Sequence, residues 1–120
     1  MDAAQAIHSF LSSFGVPAYD DNSVPVTAEL PYITYSVSYD SFDNDVAMNA
    51  SLWARTISWE WLTSKAKEIT DTYKNNGVKL PTDNGVVWLK GGSPIYQRRG
   101  NEDKNIKRID FNIICEYQEI

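Results

Sequence analysis

The strongest constraint on the fold is the alternation of apolar and polar residues near the end of the sequence, in "IKRIDFNIICEYQEI" (residues 106–120). Successive side chains of a β-strand point to opposite faces of its sheet, so residues two apart share a face. One face here takes Ile109, Phe111, Ile113, Cys115 and Tyr117, and the other takes Arg108, Asp110, Asn112 and Glu116. The pattern predicts a long strand with one buried face.

Other segments also read as strands. "LPYITYSVSY" (residues 30–39) and "SLWARTISWEW" (residues 51–61) alternate around a polar segment, "DSFDNDVAMNA", which is too long for a two-residue turn. We therefore expect an antiparallel hairpin with a long loop. Shorter strands are expected at "VVWLK" and "IYQRR", separated by a "GGSP" turn, and an edge strand around Val24–Val26 at most.

Two helices complete the predicted fold. The first runs from the N-cap Asp2 to Gly15 and buries Ala3, Ile7, Phe10, Leu11 and Phe14. The second is capped by Thr63 or Ser64, stops at 75–77, and faces inward with Leu62, Ala66, Ile69 and Tyr73. We expect an α+β class fold: a mainly antiparallel sheet with two helices packed on one face. A chain of 120 residues is expected to form a single domain.

Few residues offer chemistry. The single histidine, His8, lies beside the apolar stripe of the first helix, and the single cysteine, Cys115, alternates with the buried residues of the last strand. Catalytic and zinc sites need several such groups at suitable spacing, and the chain has neither that spacing nor a GxxxxGK[ST] phosphate loop. "DSFDND" lacks the glycine and distal glutamate of a calcium-binding EF-hand loop. We expect no enzymatic activity, no cofactor and no metal.

The location of the protein is constrained in the same way. One cysteine cannot form an internal disulfide, and no apolar run approaches the roughly 20 residues that span a membrane. The N-terminus "MDAAQAIHSF" has no basic region of the kind that begins a signal peptide. We expect an intracellular protein that does not contact a membrane.

Charge is divided unevenly along the chain. Residues 1–54 hold seven acidic residues and no Lys or Arg, a net charge of −7. Residues 55–120 hold all eleven basic residues and nine acidic ones, a net charge of +2. Such asymmetry is typical of electrostatic partnering, although two solvated surfaces give the same pattern. The overall charge of −5 argues against sequence readout of nucleic acid.

The tryptophans allow a second interpretation. At strand spacing, Trp53, Trp59 and Trp61 share one face and could form a platform that binds a carbohydrate or peptide. Alternatively, they bury against the helices or against another subunit. The sequence leaves a small non-enzymatic binding module as the alternative to an assembly protein.

Taken along its length, the chain resembles the tail terminator (tail-to-head joining) proteins of long-tailed bacteriophages. The matching stretches are "AAQAIHSFLSSFGVPAY", "LPYITYSVSYDSF", "SKAKEITDTYKNNG" and "KRIDFNIICEY", in that order. Members of that family begin with a helix and a connector, open a hairpin with an "LPYITY"-like strand, and close with a long strand after a second helix. Head-completion and minor capsid proteins of such phages are similar in size and order of elements.

The resemblance implies a structural virion protein without catalytic residues, with residues 1–120 as one tail-terminator-like domain. It implies a ring, usually hexameric, at the head-proximal end of the tail, and a location in the host cytoplasm before assembly. Such a ring stops polymerisation of the tail tube protein and offers a surface to the head connector. The implied partners are other copies of the chain, the tube protein and a head-completion or connector protein.

A closed ring needs two different, complementary surfaces on each subunit. The first hairpin loop is acidic at Asp40, Asp43 and Asp45, whereas the loop before the last strand is basic. We predict that the acidic loop of one subunit approaches the basic loop of its neighbour, or that one loop reaches the tube. The basic residues of this predicted interface are Arg98, Arg99, Lys104 and Lys107, and its apolar tip residues are Phe42, Val46 and Met48.

Overall fold

The computed structural model describes residues 1–37 and 45–119, with side chains at all of these positions except 45–47 and 119. In chain order the elements are α1 (Ala3–Leu11) with a 3-10 turn (Ser12–Phe14), β1 (Ala18–Asp20), β2 (Tyr32–Ser36), β3 (Asp45–Arg55), α2 (Glu60–Asp71), β4 (Val78–Pro81), β5 (Gly85–Arg99) and β6 (Ile106–Glu119). The strands form one six-stranded sheet in the order β1-β2-β3-β6-β5-β4. β1 and β2 are parallel, and the other neighbouring pairs are antiparallel.

Both helices pack on one face of this sheet. α1 contacts β1, β4 and β5, and α2 contacts β3, β5 and β6. The covered face carries Ala50 and Leu52 of β3 opposite Phe111 and Ile109 of β6, and each of these side chains is at most 2% exposed. The predicted α+β class, with a mainly antiparallel sheet and two helices on one face, is confirmed. Neither helix is long and apolar enough to cross a membrane in the part of the chain that the structure describes.

β6 confirms the alternation that the sequence shows. It pairs with β3 on one side and with β5 on the other, so it lies in the middle of the sheet. Its predicted inward residues are all buried, whereas Arg108, Asp110 and Asn112 are partly exposed on the opposite face. We call that opposite face, which neither helix covers, the open face.

The first helix begins at the predicted N-cap, whereas its α-helical part ends at Leu11 and a 3-10 turn continues to the predicted stop at Gly15. The Asp2 carboxylate accepts a hydrogen bond from the Gln5 backbone N–H, and the Gln5 side chain accepts one from the Asp2 N–H. This reciprocal pair is a capping box, which satisfies two backbone donors at the start of the helix. Gly15 follows the 3-10 turn with a φ of 84°, a left-handed conformation that favours glycine.

Two of the predicted strand positions are wrong. β3 runs from Asp45 to Arg55 rather than from residue 51 to 61, because its backbone already pairs with β6 from Asp45 onward. The edge strand is β1, where Ala18 pairs with Ile33, rather than a strand around Val24–Val26. Ala18 is 4% exposed whereas Val26 is fully exposed, so burial selects the earlier segment.

The predicted start of the second helix is also wrong. α2 begins at Glu60, and Trp59 occupies the N-cap position without a side-chain capping bond. Its inward face is as predicted, because Leu62, Ala66, Ile69 and Tyr73 are all buried. The helix itself ends at Asp71, a few residues before the predicted stop, where Asn76 and Gly77 have φ values of 46° and 75°.

β5 is one long strand rather than two strands joined by a turn. Gly91 pairs with Ile113 and Tyr96 pairs with Phe111, so residues 92–95 of β5 stand opposite the single residue Asn112. The Asn112 side-chain amide donates a 2.6 Å hydrogen bond to the Pro94 carbonyl. The "GGSP" segment is therefore a bulge within the strand, and β5 and β6 continue together to the basic end of the molecule.

Candidate functional site

The acidic and basic segments that the sequence singles out adjoin opposite ends of the β3–β6 pair. Asp45, the first residue of β3, stands opposite Glu116, and Arg55, the last, stands opposite Ile106. At about 3.3 Å per residue, the two ends of β3 are about 33 Å apart. The two segments are therefore attached at opposite ends of β3.

Most of the predicted acidic loop lies outside the described residues, including Asp40, Phe42 and Asp43. The backbones of Asp45 and Val46 belong to β3, and their side chains are not described. The structure does show where this acidic segment is attached to the sheet. The acidic segment leads directly into β3 at its Glu116 end.

Met48 does not form an exposed loop tip, which corrects the prediction. It lies in β3 opposite Ile113 and is 3% exposed. The register of β3 brings its side chain to the helix-covered face, where it packs in the core of the subunit. The predicted apolar contact between subunits therefore loses one of its three members.

At the opposite end, two of the predicted basic residues gather around Trp59. The Arg98 guanidinium lies 5.2 Å from the centre of the indole ring, and the Lys107 ammonium lies 5.8 Å from it. Arg98 also donates a 3.3 Å hydrogen bond to the Thr63 hydroxyl, and Lys107 donates a 2.6 Å bond to the Lys104 carbonyl. Cations are attracted to the electron-rich face of an indole. Trp59 therefore positions two cations beside the start of α2.

Arg99 lies on the other side of the sheet, although it follows Arg98 directly. Its Nε donates a 3.0 Å hydrogen bond to Asp110, and the same carboxylate accepts a 2.7 Å bond from the Ser51 hydroxyl. Arg108 Nε is 3.4 Å from Asp110, close enough for an ion pair but outside hydrogen-bond geometry. Asp110 thus neutralises part of the basic charge on the open face, and Arg99 is engaged within its own subunit.

Two exposed apolar residues lie at the basic end, and sequence reasoning placed neither of them there. Ile57, in the turn between β3 and α2, is 86% exposed, and Trp61, in the first turn of α2, is 41% exposed. At strand spacing both appeared to share a face with Trp53, so only the true start of α2 at Glu60 reveals their exposure. The segment "RTIS" contains no Gly, Pro, Asn or Asp, so the sequence carries no clear turn signal at this boundary.

The turn that carries Ile57 is fixed to the loop between β5 and β6. The Thr56 N–H donates a 2.6 Å hydrogen bond to the Asn105 carbonyl, and Arg55 lies 3.4 Å from Asp103. Exposed apolar residues and cations therefore occupy one end of the molecule. We call this set the aromatic–basic end; its members are Ile57, Trp59, Trp61, Arg98, Lys104 and Lys107.

The structure also corrects the predicted tryptophan platform. Trp53 lies on β3, where its Nε1 donates a 2.9 Å hydrogen bond to the Thr34 hydroxyl and the Arg108 guanidinium lies 5.0 Å from its ring centre. Trp59 occupies the N-cap position of α2, and Trp61 belongs to that helix. The three rings therefore do not share one strand face, and Trp53 stands apart from the other two.

The single histidine and the single cysteine lie in different surroundings. His8 is exposed, and its Nδ1 lies 2.9 Å from the Tyr35 hydroxyl. Cys115 is 1% exposed, and burial raises the pKa of its thiol, which a hydrogen bond with Tyr117 partly offsets. Among the described residues, no three His, Cys, Asp or Glu side chains are grouped so that they could hold a metal ion.

A cleft of about 490 Å³ lies where α1 begins, beside the turn between β4 and β5 and the end of β6. Its walls include Ala3, Val86 and Tyr117. Both carboxylates in its lining already have partners, because Asp2 caps α1 and Asp83 pairs with the amino terminus. Neither carboxylate of the cleft is therefore left to bind a ligand. The aromatic–basic end is the stronger candidate for a functional surface.

Comparison with solved structures finds a similar fold. A chain in the structure of the virion of a native gene transfer agent (GTA) particle has a TM-score of 0.62 to this chain, at 18% sequence identity. The match covers 95% of this chain and 84% of that chain. No model of a known protein family matches the sequence, and neither does any curated protein. At this identity the likeness concerns the fold.

Proposed function

We propose that this protein is a structural component of a phage or phage-like virion, where it forms a ring that caps the tail tube and joins it to the head connector. The observation that carries the proposal is the fold that 95% of the chain shares with a chain of a gene transfer agent virion. The order of elements, which resembles that of tail terminator proteins, supports the more specific role.

The shape of the subunit suits a head-to-tail ring. In such a ring, one surface of each subunit contacts a different surface of the next. The acidic segment and the aromatic–basic end adjoin opposite ends of β3 and differ in charge. Each subunit would therefore contact one neighbour through each end. The faces of the ring would remain for the tube protein on one side and the connector on the other.

A related head-completion or minor capsid protein is the second candidate. The fold match supports it equally, because the matched chain belongs to a whole virion rather than to an isolated tail. The two roles differ in their mutant phenotypes. Loss of a tail terminator releases the control of tail length, whereas loss of a head-completion protein leaves tail length normal and affects the head.

Deletion of the gene followed by electron microscopy of the lysate tests the proposal. We expect full heads without tails, together with tubes of irregular and excessive length, and complementation by the wild-type gene should restore normal particles. Normal tails beside unjoined heads would favour the head-completion role. Normal, infectious virions would contradict a structural role and would favour the small binding module.

A further inference from the structure

The aromatic–basic end exposes apolar surface that the subunit does not use. Among the described residues, four large apolar side chains are exposed, and two of them, Ile57 and Trp61, are only four positions apart. Single exposed apolar residues are common on protein surfaces. Neighbouring ones with a polar rim, and tryptophan and arginine above all, are typical of sites where another protein docks.

Cations lie beside both tryptophans of this end, although the Lys65 ammonium is also paired with Glu68 at 2.8 Å. Lys65 places its ammonium 5.9 Å from the centre of the Trp61 ring, and Arg98 and Lys107 flank the neighbouring Trp59. Lys104 extends the basic rim from the loop between β5 and β6. Glu102 and Asp103 dilute that loop, but Asp103 is already paired with Arg55. A fitting partner therefore combines carboxylates with at least one aromatic or aliphatic side chain.

The chain itself contains such a partner. Residues 40–45, "DSFDND", carry three carboxylates around Phe42, and no Lys or Arg precedes Arg55 in the sequence. This segment leads into β3 at the end that lies about 33 Å from Arg55. We propose that the aromatic–basic end docks residues 40–45 of a second copy of the chain. Ile57 and Trp61 bury apolar surface in this contact, and Lys104 with its neighbouring cations selects and orients the acidic segment.

This contact rests on the proposed function, because it would join neighbouring subunits of the ring. It can nevertheless be measured with the purified protein alone. It is a head-to-tail contact, so after the first contact forms one copy still has an unused surface and the other still has an unused segment. Exposed ion pairs contribute mainly to steering and register. The affinity should therefore depend on the two apolar side chains, and the association rate should fall as the salt concentration rises.

A mixing experiment with two full-length variants tests the contact. The surface variant carries Ile57→Ser and Trp61→Ser, and the segment variant carries Phe42→Ser together with Asp43→Asn and Asp45→Asn. By sedimentation velocity, each variant alone should self-associate about 30-fold or more weakly than wild type, as expected for loss of interface hot spots. A mixture of the two should form a 1:1 dimer and stop there, because only one compatible segment and one compatible surface remain.

A matched control separates loss of the contact from a general loss of apolar surface. Val26 is fully exposed and lies in the connector between β1 and β2, so Val26→Ser should associate like wild type. Circular dichroism and urea unfolding of each variant verify that it is folded. Wild type that stays monomeric at about 1 mM, a surface variant that associates like wild type, or a mixture that stays monomeric would each overturn the proposal.

The outcomes also separate this proposal from the proposed function and from nucleic acid binding. If the mixture forms dimers but the gene deletion leaves virions normal, the contact stands and the virion role fails. If the deletion gives unjoined heads and irregular tails while the surface variant assembles normally, the role stands and the contact fails. A duplex DNA oligonucleotide that binds wild type but not Lys104→Glu, while self-association is unchanged, would overturn the contact in favour of nucleic acid.

Discussion

Ser51 and Asp110 are joined across the central pair of strands: the Ser51 hydroxyl donates a 2.7 Å hydrogen bond to the Asp110 carboxylate. They stand opposite each other in the register of β3 and β6, on the open face of the sheet. The same carboxylate accepts a hydrogen bond from Arg99 and lies near Arg108. Asp110 thus links the last strand to both of its neighbours on the face that the helices leave uncovered.

Removal of this carboxylate should therefore weaken the sheet. We expect Asp110→Ala to lower the free energy of unfolding by about 1–3 kcal/mol, because Ser51 and two guanidinium groups lose their shared partner. Ser51→Ala, which removes one neutral donor, should cost about 1 kcal/mol or less. Urea unfolding measures both, and the double variant should be less destabilised than the sum of the two. Asp110→Ala that is as stable as wild type would show that the network contributes nothing.

The buried face depends on Phe111. Its side chain is 2% exposed, and its ring centre lies 6.4 Å from that of Tyr96. Phe111→Ala should lower the free energy of unfolding by about 3–5 kcal/mol, because it opens a cavity in the middle of the sheet. The matched control is Val26→Ala, at a fully exposed position, which should change stability by less than about 0.5 kcal/mol. Equal stability of the two variants would contradict the observed register of β6.

Tyr73 carries a polar group that its surroundings do not satisfy. The side chain is 1% exposed, and its hydroxyl has no hydrogen-bond partner among the described residues. Tyr73→Phe should therefore keep or raise the free energy of unfolding, by up to about 1–3 kcal/mol. Tyr35→Phe is the control, because the Tyr35 hydroxyl pairs with His8 and its loss should cost about 0.5–1.5 kcal/mol. A Tyr73→Phe variant less stable than Tyr35→Phe would contradict this assignment.

Burial also raises the pKa of Tyr73 above its ordinary value of 10.0. The unfolded chain then loses this proton at a lower pH than the folded chain. The resulting contribution to stability is complete below about pH 10 and is lost as the pH rises toward the pKa of the folded state. Tyr73→Phe should therefore show a shallower loss of stability than wild type when urea unfolding is compared at pH 9 and above.

Cys115 should be unreactive in the folded protein. It is 1% exposed, and burial raises the pKa of its thiol above 9.0, so little of the nucleophilic thiolate forms near pH 8. A chromogenic thiol reagent should label the urea-unfolded chain rapidly and the native chain only at the rate of unfolding. Fast labelling of native protein would instead show that the thiol is accessible and reactive.

The parts of the fold that the sequence predicts well are those governed by local patterns. β6 and the inward face of α2 have clean periodicity, and Asp2 and Gly15 carry the chemistry of a helix start and stop. Where a helix follows a strand without a clear turn signal, the local pattern does not predict the boundary between them. The apolar alternation of residues 51–61 runs across the boundary between β3 and α2, so pairing with β6 ends the strand at Arg55 and helix packing begins α2 at Glu60.

The candidate site could be predicted from the sequence only in part. Its basic residues were found because charge is visible in sequence, but their partners were not. Arg98 lies over Trp59 and Arg99 pairs with Asp110, because successive strand residues point to opposite faces. Reversal of both arginines would therefore disturb two contacts within the subunit, which makes Lys104 the cleaner position for a charge reversal.

The most direct test of the proposed role is a cryo-electron microscopy reconstruction of the junction between head and tail in the particle that contains this protein. We expect a ring of this chain between the last ring of tube protein and the head connector, with residues 40–45 of each subunit against Ile57 and Trp61 of the next. A particle in which the chain lies elsewhere, or in which the junction contains no density for it, would contradict the proposed role.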